Sequence, residues 1–135
     1  MKLQFRKILL LLFAVVSLSG VALSETLPGI HENIAIAIRT GNSKQLASYF
    51  SNTVEITIPG KEGTFSKVQA EMIMKDFFSK TIPTTFTIDQ KGNSAGGAQF
   101  MIGTYKSNNT LFKTYILLKP VENQMLIQQI QFEED

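Results

Sequence analysis

A chain of 135 residues has room for one domain, and 44% hydrophobic with 18% charged residues is a globular composition rather than a disordered one. The absence of cysteine excludes disulfides, cysteine-ligated zinc, iron–sulfur clusters and cysteine nucleophiles, and the single histidine excludes multi-histidine metal sites. The formal charge of +2 gives no case for nucleic acid, because without residues 1–24 the chain keeps ten basic against eleven acidic groups, a net charge of −1.

Residues 1–24 read as a signal peptide. Lys2, Arg6 and Lys7 form a positive start, residues 8–16 are unbroken apolar, and small side chains follow. Ala22-Leu23-Ser24 or Gly20-Val21-Ala22 places small residues at −3 and −1 of a cleavage site, so the cut is expected after Ser24, or alternatively after Ala22. The apolar run falls well short of the roughly 20 residues of a spanning helix. The expected product, residues 25–135, is an exported single domain, periplasmic or secreted, with no membrane association once the signal is removed.

The next element opens at Leu27-Pro28-Gly29, where proline suits a first helical turn. Ile30, Ile34, Ala37 and Ile38 follow at helical spacing and Gly41 is a stop, which outweighs the strand-like alternation of Ile34, Ile36 and Ile38. A short second helix is expected over 43–50, capped by Asn42. Residues 54–58 alternate as a strand, Pro59-Gly60 fits a type II turn, and the chain returns briefly through Thr64-Phe65. Ser66 with Gln69 forms a capping box for a third helix to about Lys80, with Val68, Met72, Ile73 and Phe77 as its buried stripe, widened by Met74 and Phe78. Four strands complete the chain, over about 84–90, 99–106, 111–119 and 125–133, with two-residue hairpin turns at Asn108-Asn109 and Glu122-Asn123. This is an α+β fold, a curved antiparallel sheet wrapped around about three helices.

That element order resembles the cone-shaped, cystatin-like fold of the nuclear transport factor, ketosteroid isomerase and scytalone dehydratase superfamily. The stretches Ile58-Pro59-Gly60-Lys61-Glu62-Gly63, Ser66-Lys67, Gln69-Ala70-Glu71, Asp76-Phe77-Phe78, Ile102-Gly103 and Ile127-Gln128 are similar to an uncharacterised family of small exported bacterial proteins within it. The resemblance spans most of residues 27–134 and implies the fold and an exported location. It implies no activity and transfers no functional residue.

Ketosteroid isomerases, which share this architecture, use carboxylates and a tyrosine inside the cone, and scytalone dehydratases use histidine and aspartate. The corresponding residue types here are His31, Asp76, Asp89, Tyr49, Tyr105 and Tyr115, and they form no acid–base constellation along the sequence. Pro59-Gly60-Lys61-Glu62-Gly63 lacks phosphate-loop spacing and reads as a tight hairpin. No catalytic residue, metal or cofactor is expected.

Two-residue turns fix a register for the last three strands. It places Phe100, Ile102, Thr104, Lys113, Tyr115, Leu117, Leu126, Gln128, Ile130 and Phe132 on one face. Greater aromatic bulk assigns that face to the helix side, so Thr104, Lys113, Tyr115 and Gln128 become the polar groups of an apolar pocket. The opposite face carries Tyr105, Phe112, Ile116, Leu118 and Ile127, which then form an uncovered surface for a second copy or a protein partner. A three-residue turn at Asn108 would exchange the faces of the strand over 99–106. The expectation is a non-catalytic exported module binding a small apolar ligand or a protein partner; the alternative is a cofactor-free isomerase or dehydratase.

Overall fold

The computed structural model describes residues 29–135, and the segment expected as a signal peptide lies outside them. In chain order the elements are α1 (Ile30–Arg39), α2 (Ser43–Ala47), β1 (Phe50–Ile58), β2 (Lys61–Ser66), α3 (Lys67–Lys80), β3 (Thr85–Asn93), a 3-10 turn (Ala95–Gly97), β4 (Gln99–Ser107), β5 (Thr110–Val121) and β6 (Gln124–Glu134). The local signals act where they stand. Asn42 accepts from the Gln45 amide at 3.0 Å, and Ser66 and Gln69 close the capping box on α3. Gly60, at φ 82°, supplies the left-handed position of the β1–β2 turn, and Ser107 pairs with Thr110 across the two-residue turn at Asn108-Asn109.

Two elements differ from the sequence reading. The second helix ends at Ala47, because Phe50 already belongs to β1 and pairs with Ile127, whose amide donates to the Tyr49 carbonyl at 2.7 Å. On α3 the buried residues are Ala70, Met74, Phe77 and Phe78, whereas Val68 and Met72 are 71% and 57% exposed. Met74, Phe77 and Phe78 are thus buried as expected and Ile73 is half-buried, but Ala70 takes the place expected for Val68 and Met72. The aromatic pair fixes the rotation of the helix, because Phe77 packs on Phe132, Tyr105 and Phe112 at ring separations of 4.9, 5.6 and 5.8 Å and Val68 and Met72 then point away from the sheet.

The six strands form one curved open sheet in the order β2-β1-β6-β5-β4-β3. It is mixed rather than wholly antiparallel, since β1 runs parallel to β6. Strands joined by hairpins must alternate in direction, but β1 and β6 are separated by α3 and four strands, so no tight turn constrains them. Register shifts interrupt β3 at Asp89, the β5–β6 pair at Gln128 and the β1–β6 pair after Phe50. Such bulges bend a sheet and increase its twist.

The bulge at Gln128 also decides which side chains face the helices. It turns Gln128 and Gln129 to the same side and keeps Ile127, Ile130 and Phe132 on the other, all three buried. Met101, Tyr105, Phe112, Thr114, Ile116 and Leu118 join them in the core beneath the helices. The register of β4 against β5 is the expected one, but the face assigned to the helices is the opposite of the one that packs beneath them. Tyr105, Phe112, Ile116, Leu118 and Ile127 are core residues, none more than 4% exposed, and cannot form an outer interface. Phe100, Ile102, Thr104, Tyr115 and Leu117 are half-buried on the helix-free side with exposed Lys113. The physical reason is charge: Lys106, Lys113 and Lys119 share that side, and long cations are almost never buried unpaired.

Arg39 guards one edge of the sheet. Its Nε and Nη2 donate to the Phe86 carbonyl on β3 at 3.2 and 3.1 Å, and its Nη1 lies 3.6 Å from Glu32. With the bulge at Asp89, this leaves β3 a poor template for further strand pairing.

Candidate functional site

The interior of the cone is filled. Phe77, Phe78, Tyr105, Phe112 and Phe132 interlock with Met74 and Met101, and each is at most 6% exposed. The Tyr105 hydroxyl donates to the Thr81 carbonyl, just beyond the end of α3. Burial pushes its phenol well above the ordinary tyrosine range, so it stays a neutral donor. One polar atom in this region has no partner among the described residues, the hydroxyl of fully buried Thr114.

The four residues expected to line a pocket do not converge on one. Thr104 and Lys113 are cross-strand partners on the outer face, with Tyr115 one outward position further along β5. The Thr104 hydroxyl donates to Asp89 at 2.5 Å, and Thr87 reaches the same carboxylate at 3.4 Å. Gln128 sits apart in its bulge, donating through Nε2 to Ser51 on β1 at 2.9 Å. Of the aromatic residues that assigned these four to the helix side, Phe100 and Tyr115 lie in a half-exposed outer layer, whereas Phe132 is in the core.

That outer layer has a compact centre. Phe100 faces Leu117 and Ile102 faces Tyr115, giving a block of four large apolar side chains across β4 and β5. The Phe100 ring also covers Gly92, where a Cβ would come within 2.9 Å of it, so the glycine leaves the ring its seat. Gln129 and Gln131 flank Leu117 and Tyr115 on β6. The lysines at 106, 113 and 119 border the block, and Glu133, which accepts from Gln131, lies across from Lys113. No sequence motif marks this arrangement; the parity of the lysines and the doubled glutamine at 128–129 are its only signals.

The candidate acid–base residues are dispersed. His31 is half-buried in the first turn of α1; burial, then the charge of Lys91, holds its imidazole below the usual range, and its Nε2 has no partner among the described residues. Asp76 is exposed on α3 and paired with Lys80 at 3.0 Å, while Asp89 occupies the β3 bulge. None of the three is hydrogen-bonded to another or to a tyrosine. Among the described residues no group of histidines and carboxylates is arranged to hold a metal, and no helix is long and apolar enough to cross a membrane.

A surface cleft of about 430 Å3 opens where several elements end. The last turn of α3 forms one wall with Asp76, Lys80 and Thr81, and the β4–β5 hairpin forms another with Ser107, Asn108 and Thr110. Ile58, Pro59 and Glu134 also line it, with Phe77 and Phe112 at its floor.

Comparison with known proteins places this geometry in a family. The family profile described as "Domain of unknown function (DUF4783)" matches residues 31–133. A crystal structure of a DUF4783 family protein from Bacteroides uniformis is similar at 27% identity and a TM-score of 0.74, covering 79% of this chain and 98% of that one. A domain of unknown function with a cystatin-like fold from Nostoc punctiforme is 13% identical, TM-score 0.62, over 78% of this chain and 72% of its own. An NTF-2 like protein of unknown function from Silicibacter pomeroyi is 14% identical, TM-score 0.55, over 78% and 89%. The last two likenesses show the fold alone. No curated protein matches the chain.

Proposed function

The chain belongs to the DUF4783 family, a domain of unknown function, and from that footing we propose that it is a non-catalytic exported binding module whose partner, a second copy of itself, docks on the helix-free face of the sheet. The observation that carries this reading is the block of Phe100, Ile102, Tyr115 and Leu117 on a face that no helix covers. Apolar groups gathered on one surface and rimmed by polar ones mark interaction sites more often than isolated exposed residues do. Thr104, Lys113, Gln128, Gln129 and Gln131 supply the rim, and the outlying lysines keep its border hydrated.

The available area fits. Six strands spaced about 4.8 Å apart and about 30 Å long present roughly 700 Å2, close to the roughly 800 Å2 that each partner contributes to a standard interface. A two-fold contact of this kind uses the same patch on both copies, so one apolar block serves both sides. A packed cone interior argues against a small apolar ligand there. A cofactor-free isomerase or dehydratase would need a base beside a hydrogen-bond donor; the dispersed positions of His31, Asp76 and Asp89, and the commitment of Tyr105 to Thr81, weigh against it. Export is supported by the charged start and short apolar run of residues 1–24.

Sedimentation of native protein at micromolar concentration tests the reading, with its intact mass measured on the same material. The expected result is a dimer beginning at Glu25 or Leu23, reduced to a monomer by Ile102→Lys with unchanged near-ultraviolet circular dichroism. A strict monomer overturns self-association, and a mass that includes residues 1–24 overturns export.

A further inference from the structure

The cleft at the end of α3 is separate from the sheet face and has its own chemistry. We propose that it binds an alkylammonium group, an amine on a short apolar stem, either as a free amine or as a lysine side chain of another protein. Its volume of about 430 Å3 is within the range of small-molecule sites. The charges around it are unequal. Lys80 is engaged by Asp76 at 3.0 Å, whereas Glu134 on the opposite rim has no cation within salt-bridge distance among the described residues.

Two further features favour a cation. α3 is 14 residues long and ends on this wall, so the negative end of its dipole adds to the unpaired carboxylate. Ser107, Asn108 and Thr110 on the facing hairpin carry hydroxyl and amide oxygens that can accept the remaining ammonium protons. Phe77 and Phe112, 6% and 4% exposed, give the cleft a small apolar floor. An apolar floor receives the apolar stem, and the ammonium stays at the rim where oxygens and water solvate it. This arrangement selects an amine over an alcohol of the same size and repels a carboxylate.

Amide NMR spectra of the full chain titrated with n-butylammonium test the assignment, with n-butanol as the neutral counterpart. Saturable shifts are expected at Thr81, Asn108 and Glu134, with butanol weaker by about tenfold, the worth of one charge-assisted hydrogen bond. Glu134→Gln, an exposed position that the fold does not depend on, should weaken butylammonium by a similar factor, and Glu133→Gln should not. A short acetylated peptide with one lysine separates the two sources: tighter binding than butylammonium assigns a protein lysine, weaker binding a free amine. Equal binding of butanol, an unchanged titration in Glu134→Gln, or the absence of shifts at the cleft overturns the proposal. None of these outcomes depends on whether the chain dimerises through its sheet.

Discussion

On β4 and β5 the two faces of the sheet carry similar numbers of large apolar side chains and have opposite fates. On β5, Phe112, Ile116 and Leu118 are buried beneath the helices, while their chain neighbours Tyr115 and Leu117 remain half-exposed. Counting apolar residues does not separate the faces. What separates them is the cost of burying charge: one face carries Lys106, Lys113 and Lys119, and the other carries no charged residue on β4 or β5. A face with three lysines can meet water or a partner with a polar rim, but it cannot close a core.

The largest expected effect contrasts two adjacent residues. Ile116→Ala opens a cavity at a fully buried site and should cost about 3 kcal/mol, whereas Leu117→Ala on the other face should cost about 1 kcal/mol or less. Urea denaturation of dilute protein, where self-association does not contribute, measures both. Equal losses would break the distinction between the faces.

Glycines sharpen the same contrast at smaller scale. A Cβ on Gly103 would lie 2.6 Å from the Phe86 ring and 2.7 Å from the Thr87 carbonyl oxygen, and the backbone atom cannot move aside. Gly103→Ala should therefore cost about 2 kcal/mol, as overpacked core sites do. Gly92→Ala meets only the half-exposed Phe100 ring at 2.9 Å, which can swing outward, and should cost about 1 kcal/mol or less. Thermal melts of the two variants should separate by several degrees, with Gly103→Ala the lower; coincident melts would show that the inner face is no tighter than the outer.

The smallest effect has the opposite sign. Thr114 buries a hydroxyl without a partner among the described residues, so Thr114→Val, nearly identical in shape, should stabilise the fold by about 1 kcal/mol. The corresponding outer-face change, Thr104→Val, removes the hydrogen bond to Asp89 and should give no gain. Destabilisation by Thr114→Val would mean that the hydroxyl is satisfied and the inner face less dry than it stands here.

Much of the fold was legible because its signals are local. The Asn42 cap, the Ser66–Gln69 box, the Pro59-Gly60 turn and the two-residue hairpins each depend on backbone angles and hydrogen bonds within a few residues, and all formed as expected. The order of those elements implied the cone fold, while the family resemblance rested on short stretches such as Ile58–Gly63 and Asp76-Phe77-Phe78, and the family match over residues 31–133 bears it out. The site residues fared differently. Thr104, Lys113, Tyr115 and Gln128 do share the outer side of the sheet, but that side faces away from the helices, and the Gln128 bulge separates it from its former neighbours Ile130 and Phe132.

Chain chemistry alone settled the N-caps of α2 and α3 and where the hairpins turn, and it excluded cysteine and multi-histidine chemistry. Tertiary structure decided which side of the sheet lies under the helices, which stripe of α3 is buried, and that β1 joins β6 in parallel. The physical reason is the two-residue period of a strand, in which a shift of one position exchanges its faces. A single bulge such as that at Gln128 introduces such a shift within β6, and contacts between residues distant in the chain select the register that keeps the lysines wet and the aromatic rings packed.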